Sequence, residues 1–419
     1  MAKARSKLAH GLAPMQGRDP HEKGRTGSAL ELIFDLVAVV AISIASSQLA
    51  HLFEAGHWVA GTGAFLFAVF AITWAWSSYS QLLSAFDTDD IGVRLVTLLQ
   101  MGGVLLLAMG VAPLADGFDH GRLDNQVIVV GYVVMRLGAI IIWARVAHDS
   151  AELAPMARRQ IVTLLISQVC WCLVAFLPLP PAIGLGLMGL CLAGEIASPI
   201  FAERSGRMPW HPHHMGERFG AFVVISLGEV VLGTLTAVQA DVAEHGWSWG
   251  AVTLGAAGLG MAFGLWWVYF ALPAGELLAQ APGRFHLANL VHILLYASIA
   301  AVGAGLHVAS FSLRGEAESP LEAVAATVAV PAGLSIALIF VLFQVLLPRA
   351  TKTRHIDPFH VALLIASLAV GCIGVAAAAR GAELTIVLAV STLMPWVAVV
   401  GFEAHGHKEI AQRIDARQP

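Results

Sequence analysis

Charged residues are scarce in this chain. Of its 419 residues, 12% are Asp, Glu, Lys or Arg, whereas 58% are hydrophobic. Soluble domains carry about 25% charged residues, and a chain this apolar lacks the polar surface needed to cover a water-facing exterior. The composition therefore argues against a soluble globular protein and predicts that lipid surrounds much of the chain.

Motifs typical of enzymes are absent as well. The sequence has no G-x-x-x-x-G-K-[ST] phosphate-binding loop, no H-E-x-x-H zinc motif and no G-x-S-x-G nucleophile elbow. It also has no basic patch of the kind found in nucleic-acid-binding domains. We therefore predict a protein that is not an enzyme, has no cofactor or metal and binds no nucleic acid.

Cysteine and histidine patterns favour packing over metal binding. The four cysteines all lie in apolar stretches, which is typical of small buried hydrophobic residues. They are Cys170, Cys172, Cys191 and Cys372. The cluster His211, His213 and His214 lacks a nearby cysteine, and the intervening proline restricts its backbone, so a zinc site there is disfavoured.

Twelve apolar runs of membrane-spanning length follow a polar N-terminal segment, residues 1–28, which has no signal-peptide pattern. They predict an all-α polytopic transmembrane bundle. The predicted spans are 29–52, 59–80, 91–112, 126–147, 160–178, 182–202, 216–238, 249–270, 289–309, 321–347, 358–378 and 382–403.

Basic residues predict the orientation of these spans. Only Arg122, Arg314 and Arg380 fall in the loops on one side, and Arg136 lies within the fourth span. The other twenty of the 24 Lys and Arg residues lie on the opposite side, which the positive-inside rule assigns to the cytoplasm. Both termini, including a C-terminal tail at 404–419, are thus predicted to be cytoplasmic.

Three residue pairs recur at near-constant offsets and suggest an internal repeat. The pairs are Glu31 with Glu217, Trp76 with Trp267, and Met101 with His292. We predict two six-helix halves, residues 29–205 and 206–403, in parallel orientation. The alternative is that any two apolar halves can be aligned in this way.

Ionisable residues inside spans are the candidate functional residues, because charge in a membrane is costly and usually functional or paired. The candidate ion or substrate site comprises Glu31, Asp35, Arg136, Glu195, Glu217, Arg218, Glu229 and His292. Arg136 is predicted to be the only deep cation, with Asp35, Glu195 and Glu229 as alternative partners. The competing interpretation is an ion pair that only orients helices.

The loop after the second span carries a second acidic group. Asp87, Asp89, Asp90 and Arg94 lie in the sequence SAFDTDDIGVR. A divalent-cation surface is one interpretation, but a solvated loop that caps the next helix is favoured, since one short loop rarely completes a cation site.

Several blocks of sequence resemble the bacterial low temperature requirement protein A (LtrA) family. They are ELIFDLVAVVAIS, AFDTDDIGVRLVTLLQMGGVLLLAMGV, YVVMRLG, ERFGAFVVISLGEVVLG, WWVYF and HILLYASIAAVGAGL, in that order from Glu31 to about Leu306. One position departs from the family pattern, because Val230 follows Glu229 where the family usually has Ser. The resemblance implies a multi-pass bacterial inner-membrane protein associated by name with growth in the cold, without an established activity.

The leading functional hypothesis is a secondary transporter or channel for a small ion or solute. In this hypothesis Asp35 and Glu229 bind a cation or proton, and Arg136 holds a carboxylate ionised or receives an anion. Membrane lipids are the other expected partners, and the oligomeric state is open. The alternatives are a membrane-embedded enzyme or lipid-modifying factor and a non-transporting cold-adaptation sensor or scaffold.

Overall fold

A computed structural model describes residues 12–20, 22, 24–316, 319–347 and 358–406. In these ranges the chain is helical and has no β-strand. The α-helices are α1 (Ala29–Glu54), α2 (Trp58–Phe86), α3 (Ile91–Met109), α4 (Val111–Asp119), α5 (Gln126–Asp149), α6 (Ala154–Phe176), α7 (Pro181–Ala202), α8 (Pro212–His245), α9 (Trp249–Phe270), α10 (Ala274–Gln280), α11 (Phe285–Leu313), α12 (Leu321–Leu346), α13 (Pro358–Ala378) and α14 (Leu384–Gly401).

Twelve helical segments of the described chain are long and apolar enough to cross a membrane. The predicted all-α bundle of about twelve helices is thereby confirmed. The seventh and ninth segments extend past both of their predicted boundaries at polar helix ends: the seventh segment covers Pro212–His245 and the ninth Pro282–Leu313. Both extend beyond their apolar runs, because hydropathy marks the membrane core and not the hydrogen-bonded helix ends.

The chain divides into two compact units. Unit 1 comprises Met1–Ala45 and Phe70–Arg218, and unit 2 comprises Ser46–Val69 and Phe219–Pro419. The boundary between them therefore falls within α1, α2 and α8. The internal repeat of two six-helix halves is not confirmed and stays a prediction.

In unit 1, α3 and α5 pack with their backbones nearly in contact. A Cβ atom added to Gly103 would lie 2.7 Å from the carbonyl oxygen of Gly131, so any larger residue would push the helices apart. A Cβ on Gly138 would likewise meet the Gln100 side chain. Small residues of this kind permit close packing of membrane helices, and here they fix the helix that carries Arg136.

In unit 2, side-chain hydrogen bonds to backbone carbonyls join α9 and α14. Thr392 donates to the carbonyl oxygen of Ala257 at 2.7 Å, and the Trp396 indole donates to that of Gly260 at 3.0 Å. The segment containing α11 is the most enclosed of the described spans, because 78% of the residues in its apolar 18-residue stretch are buried. Unit 2 is thus organised around α11, while α13 keeps most of its surface exposed.

Candidate functional site

A buried cluster forms in unit 1 between the starts of α1 and α8 and the end of α2. We call it the shallow cluster; it comprises Glu31, Asp35, Trp76, His214 and Arg218. The Arg218 guanidinium donates to both Asp35 carboxylate oxygens, at 2.5 Å each. The Trp76 indole donates to Oδ1 of Asp35 at 2.6 Å, and Ser80 accepts a longer bond from Arg218 at 3.3 Å. Asp35 is therefore held on both oxygens by one cation.

Glu31 combines a structural contact with an electrostatic one. Its carboxylate accepts from the Ser28 backbone N–H at 2.8 Å, while its own N–H donates to the Ser28 hydroxyl at 3.2 Å. This reciprocal pair is a capping box and satisfies backbone donors at the start of α1. The same carboxylate lies 3.2 Å from His214 Nε2 and 3.7 Å from Arg218 Nε. Glu31 thus starts the helix and also balances the cluster's positive charge.

Arg136 is not the only buried arginine among the described residues, because the Arg218 side chain is 1% exposed. Sequence reasoning began the seventh span at residue 216, but α8 begins at Pro212. Arg218 therefore lies more than one turn into the helix, about 9 Å along its axis at the helical rise. Its neighbour Glu217 is exposed and is not part of the cluster.

A second buried cluster lies near the middle of α5 and in the second half of α7. We call it the midspan cluster; it comprises Trp74, Tyr132, Arg136, Ser167, Gln168 and Glu195. Arg136 Nη2 donates to Glu195 Oε2 at 3.0 Å and to the Tyr132 hydroxyl at 2.6 Å. Arg136 also lies over the Tyr132 ring, 4.8 Å from its centroid. Of the three partners considered from the sequence, the structure pairs Arg136 with Glu195.

Neutral donors complete the surroundings of Glu195. Ser167 donates to Oε1 at 2.6 Å and Gln168 at 3.2 Å, while the Trp74 indole donates to Oε2 at 3.2 Å. Two other buried atoms, Arg136 Nε and Gln168 Oε1, have no hydrogen-bond partner among the described residues. The carboxylate therefore has three neutral donors in addition to its single contact with the arginine.

The two clusters lie at different depths along their helices. Asp35 is about 9 Å from the start of α1, six residues after Ala29. Arg136 is about 15 Å from the start of α5 and about 20 Å from its end. Since a membrane hydrocarbon core is about 30 Å thick, Arg136 falls near the middle of its span, whereas Asp35 falls within two turns of a helix end.

The acidic loop before α3 caps that helix and also binds the backbone of the N-terminal segment at Ala13. Asp90 accepts from the backbone N–H of Val93 at 2.9 Å and from that of Ala13 at 3.0 Å. The Arg145 guanidinium donates to the same carboxylate at 2.6 Å and to the Ala13 carbonyl oxygen at 3.0 Å. Burial opposes the charged form of Asp90, but these hydrogen bonds outweigh it and lower its pKa.

The other members of this loop have separate surroundings. Asp87 is buried 3.6 Å from Arg25, and burial raises its pKa above the usual value. Asp89 and Arg94 form an exposed pair at 2.9 Å, and Asp89 has a positive φ of 48°. The four residues therefore do not converge on one point. The capping interpretation fits Asp90, and the divalent-cation interpretation gains no support from this geometry.

The histidines of the WHPHH segment are bonded within the protein. His211 Nε2 donates to the Glu22 carbonyl oxygen at 2.8 Å, which leaves Nδ1 to accept from the His214 backbone N–H at 3.2 Å. His213 is exposed. No group of three or more potential metal-binding side chains occurs in the part of the chain that the structure describes.

The last two predicted site residues, Glu229 and His292, belong to unit 2. His292 Nδ1 donates to the Ala288 carbonyl oxygen at 2.8 Å, so Nε2 accepts from the Tyr269 hydroxyl at 3.0 Å. His292 is thus buried and hydrogen-bonded between α9 and α11, and its role as a site residue stays a prediction. Glu229 is 3% exposed, and a Cβ added to Gly303 would lie 2.9 Å from its Cβ.

Sequence reasoning missed the residues that complete each cluster. Trp74 was counted only within an apolar run and Trp76 only as a position of the predicted repeat, although each indole is a buried donor to a carboxylate. Ser167 and Gln168 are two adjacent polar residues in the middle of an apolar span. That pattern could have identified them as candidate site residues. Arg145 was used only as one of the basic residues that predict the orientation of the spans in the membrane.

These features define a class. The described part of the chain has twelve helices long and apolar enough to cross a membrane, with charged residues buried between them, and this is a multi-pass integral membrane protein. The sequence profile of the family described as Bacterial low temperature requirement A protein (LtrA) matches residues 26–398. The chain therefore belongs to this family, as the blocks around Glu31, Asp90 and Arg218 predicted. A comparison with curated proteins gave no match.

Proposed function

We propose that the protein is a secondary transporter or channel for a small ion or solute, and that the midspan cluster binds the transported or coupling ion. The observation that carries the proposal is the Arg136–Glu195 pair, with side chains 3% and 1% exposed, formed near the middle of α5 and in the second half of α7. Ionisable residues at this depth are expensive to bury and mark ion or substrate pathways by default. The proposed role is not enzymatic.

The contacts of Glu195 support an exchange of ions at this site. Arg136 touches only one of its oxygens, and three neutral donors hold the carboxylate in place. A cation or proton that replaces Arg136 would therefore meet a carboxylate whose position is already fixed. Arg136 would keep its contact with the Tyr132 hydroxyl and ring.

The contacts of the shallow cluster support a different role there. Both Asp35 oxygens are bonded to Arg218, and Trp76 adds a third bond. An ion that bound Asp35 would have to displace a bidentate arginine contact, which is among the strongest charged hydrogen bonds in proteins. We therefore assign the shallow cluster to helix packing, and this moves the proposed ion site from Asp35 to Glu195.

Flux through proteoliposomes tests the proposal. Protons would be followed with an entrapped pH-sensitive dye, and Na⁺ and K⁺ with radiotracers. The parent protein should carry at least one of these ions. Glu195→Gln keeps the size of the side chain and removes its charge, so it should lower that flux at least about tenfold, the effect of about 1.4 kcal/mol.

Glu217→Gln is the matched control, because it makes the same chemical change at an exposed position. It should leave flux unchanged. If the parent carries an ion and Glu195→Gln carries it equally well, the proposed site is wrong. If the parent carries none of the three ions or a panel of small solutes, the transport proposal itself fails.

We also propose that the protein lies in the bacterial inner membrane with both termini in the cytoplasm, as the distribution of basic residues predicts. A reporter enzyme fused after Glu403 that is active only in the periplasm should stay silent, and one active in the cytoplasm should give signal. The opposite result would overturn the orientation. The family description motivates a physiological test as well: loss of flux should accompany slower growth in the cold.

A further inference from the structure

A long apolar groove runs between α6 and α7 in unit 1. Its volume is about 710 Å³, within the range of about 300–1,000 Å³ found for ligand pockets. It extends along α6 from Thr163 to Leu177, about 21 Å at the helical rise. Its lining is apolar apart from Thr163, Ser167 and Ser198. The groove thus has the length and the chemistry to hold a hydrocarbon chain.

One end of the groove carries positive charge. Phe201 lines that end, and the guanidiniums of Arg159 and Arg204 lie 5.7 Å and 5.8 Å from the centre of its ring. Both arginines are exposed, and neither forms an ion pair with an acidic residue in the described ranges. Two cations from adjacent helices therefore flank the groove at the place where α6 begins and α7 ends.

These two helices are also among the least enclosed spans. In their apolar 18-residue stretches only 33% and 28% of the residues are buried, compared with 50% or more for each of the first four spans. Their outer surfaces must therefore contact lipid or another protein in the membrane. Basic pockets between transmembrane helices at the cytoplasmic side are a recognised arrangement for anionic lipid headgroups, and the positive-inside prediction puts this end of the groove on that side.

We propose that the groove binds one acyl chain of an anionic phospholipid, and that Arg159 and Arg204 bind its phosphate. The charge at one end and the apolar lining along the rest match the two parts of such a lipid. A half-bilayer core is about 15 Å thick, so a chain that starts at the arginines reaches past Ser167. The Ser167 hydroxyl lines the groove and donates to Glu195, so a bound chain lies beside the midspan cluster.

Lipid binding to the full-length protein in detergent, measured by native mass spectrometry, tests the headgroup contact. Phosphatidylglycerol should bind more tightly than phosphatidylcholine with the same acyl chains. A basic residue near a lipid headgroup contributes about fivefold in affinity. Arg159→Gln with Arg204→Gln should therefore weaken phosphatidylglycerol binding roughly 25-fold. The control is Arg158→Gln with Arg207→Gln, which removes two exposed charges at the same helix ends and should change affinity less than about threefold.

A second pair of variants tests the acyl-chain contact. Gly194 lines the groove, and a Cβ there meets no atom within 4 Å, so Gly194→Leu would enter the groove without a clash. It should weaken binding of both lipids at least about tenfold. Gly189 lies on the same helix with equally open surroundings but does not line the groove. Gly189→Leu should leave binding unchanged.

Three results would overturn the inference. Equal binding of the two lipids would remove the role of the arginines, and normal binding by Gly194→Leu would remove the role of the groove. If Gly194→Leu instead converts a stable dimer to a monomer without affecting lipid binding, the groove holds a second copy of the chain. None of these readouts depends on transport, so the inference can fail while the proposed function stands, and the reverse also holds.

Discussion

The shallow and midspan clusters of unit 1 each contain an arginine paired with a carboxylate, but they hold that carboxylate in different ways. Asp35 bonds through both oxygens to one guanidinium, whereas Glu195 bonds through one oxygen to Arg136 and otherwise to neutral donors. Removal of Arg218 leaves Asp35 with one indole donor. Removal of Arg136 leaves Glu195 with three donors.

This difference matters because a buried charge is costly only to the extent that it is left uncompensated. Breaking a buried ion pair from one side typically costs about 3–5 kcal/mol, and hydrogen bonds to the remaining charge reduce that cost. The shallow cluster should therefore behave as part of the packed structure, and the midspan cluster as a site that can change its occupant. Matched substitutions in the two clusters can test this contrast.

The largest effect should come from Arg218→Met, which removes the only cation that the described residues place within hydrogen-bonding distance of Asp35. We expect a loss of about 3–5 kcal/mol in the free energy of unfolding, or no folded protein. The measurement is denaturant unfolding of the purified protein in detergent, followed by tryptophan fluorescence. The double variant with Asp35→Leu should recover part of the loss, since the unpaired Asp35 carboxylate is gone and Glu31 keeps its contact with His214. No recovery would mean that the guanidinium acts mainly through packing.

A smaller effect is expected for Arg136→Met, the same substitution in the midspan cluster. Glu195 keeps its three neutral donors, so we expect a loss of about 1–3 kcal/mol. The same unfolding assay gives the comparison directly. If Arg136→Met destabilises the protein as much as Arg218→Met, the two carboxylates are equally dependent on their arginines, and the distinction between the clusters is lost.

Asp90 offers a third charge pair that is closer to solvent, since its partner Arg145 is 17% exposed. The folded protein lowers the pKa of Asp90, so its ionised form adds stability at pH values above the unfolded value of about 3.9. That contribution is lost as the pH falls through the lower, folded value. Asp90→Asn should therefore be less stable than the parent at pH 6 and approach it below pH 4, measured by thermal unfolding across that range.

Asn is the informative replacement for Asp90, because it can still cap α3. The variant therefore tests the contribution of the carboxylate charge separately from that of the cap. A constant difference between parent and variant from pH 6 to pH 3 would show that the ionisation of Asp90 contributes nothing. Asp89→Asn changes an exposed member of the same loop and should give the same pH dependence as the parent.

The smallest effect should come from Glu217→Gln, although Glu217 is adjacent to Arg218 in the sequence. Its side chain is exposed, about 100° around α8 from Arg218, so the unfolding curve should match that of the parent. A measurable loss of stability would show that the cluster extends to the outer surface of the helix. This variant also calibrates the unfolding assay for the two arginine substitutions.

Much of the fold could be predicted from hydropathy, because each span is long and uninterrupted. The site was predicted less completely, for two physical reasons. The depth of Arg218 depended on where α8 begins, and that is set by polar residues from Pro212 onward, which hydropathy does not detect. The partner of Arg136 depended on which helix faces are in contact, and single-helix periodicity does not reveal this. Glu195 had been one of three equal candidates.

The tryptophans illustrate the same limit. An indole in an apolar run counts as a hydrophobic residue in any sequence window, yet Trp74 and Trp76 each direct an N–H at a carboxylate. They lie two residues apart on α2 but serve different clusters. They are about 200° apart around the helix and so lie on nearly opposite faces. Once the positions of Asp35 and Glu195 are known, this spacing explains why each tryptophan bonds to a different carboxylate.

The contacts of the N-terminal segment have a consequence for the order of synthesis. Met15 donates its backbone N–H to Asp149 at 2.8 Å across 134 residues of sequence, and Ala13 contacts Arg145 and Asp90. At about 5–20 residues per second, the ribosome completes that interval roughly 7–27 s after it makes Met15. Ala13 can reach Asp90 earlier, but until then Met15 lacks its partner on α5, so this contact must follow the synthesis of α5.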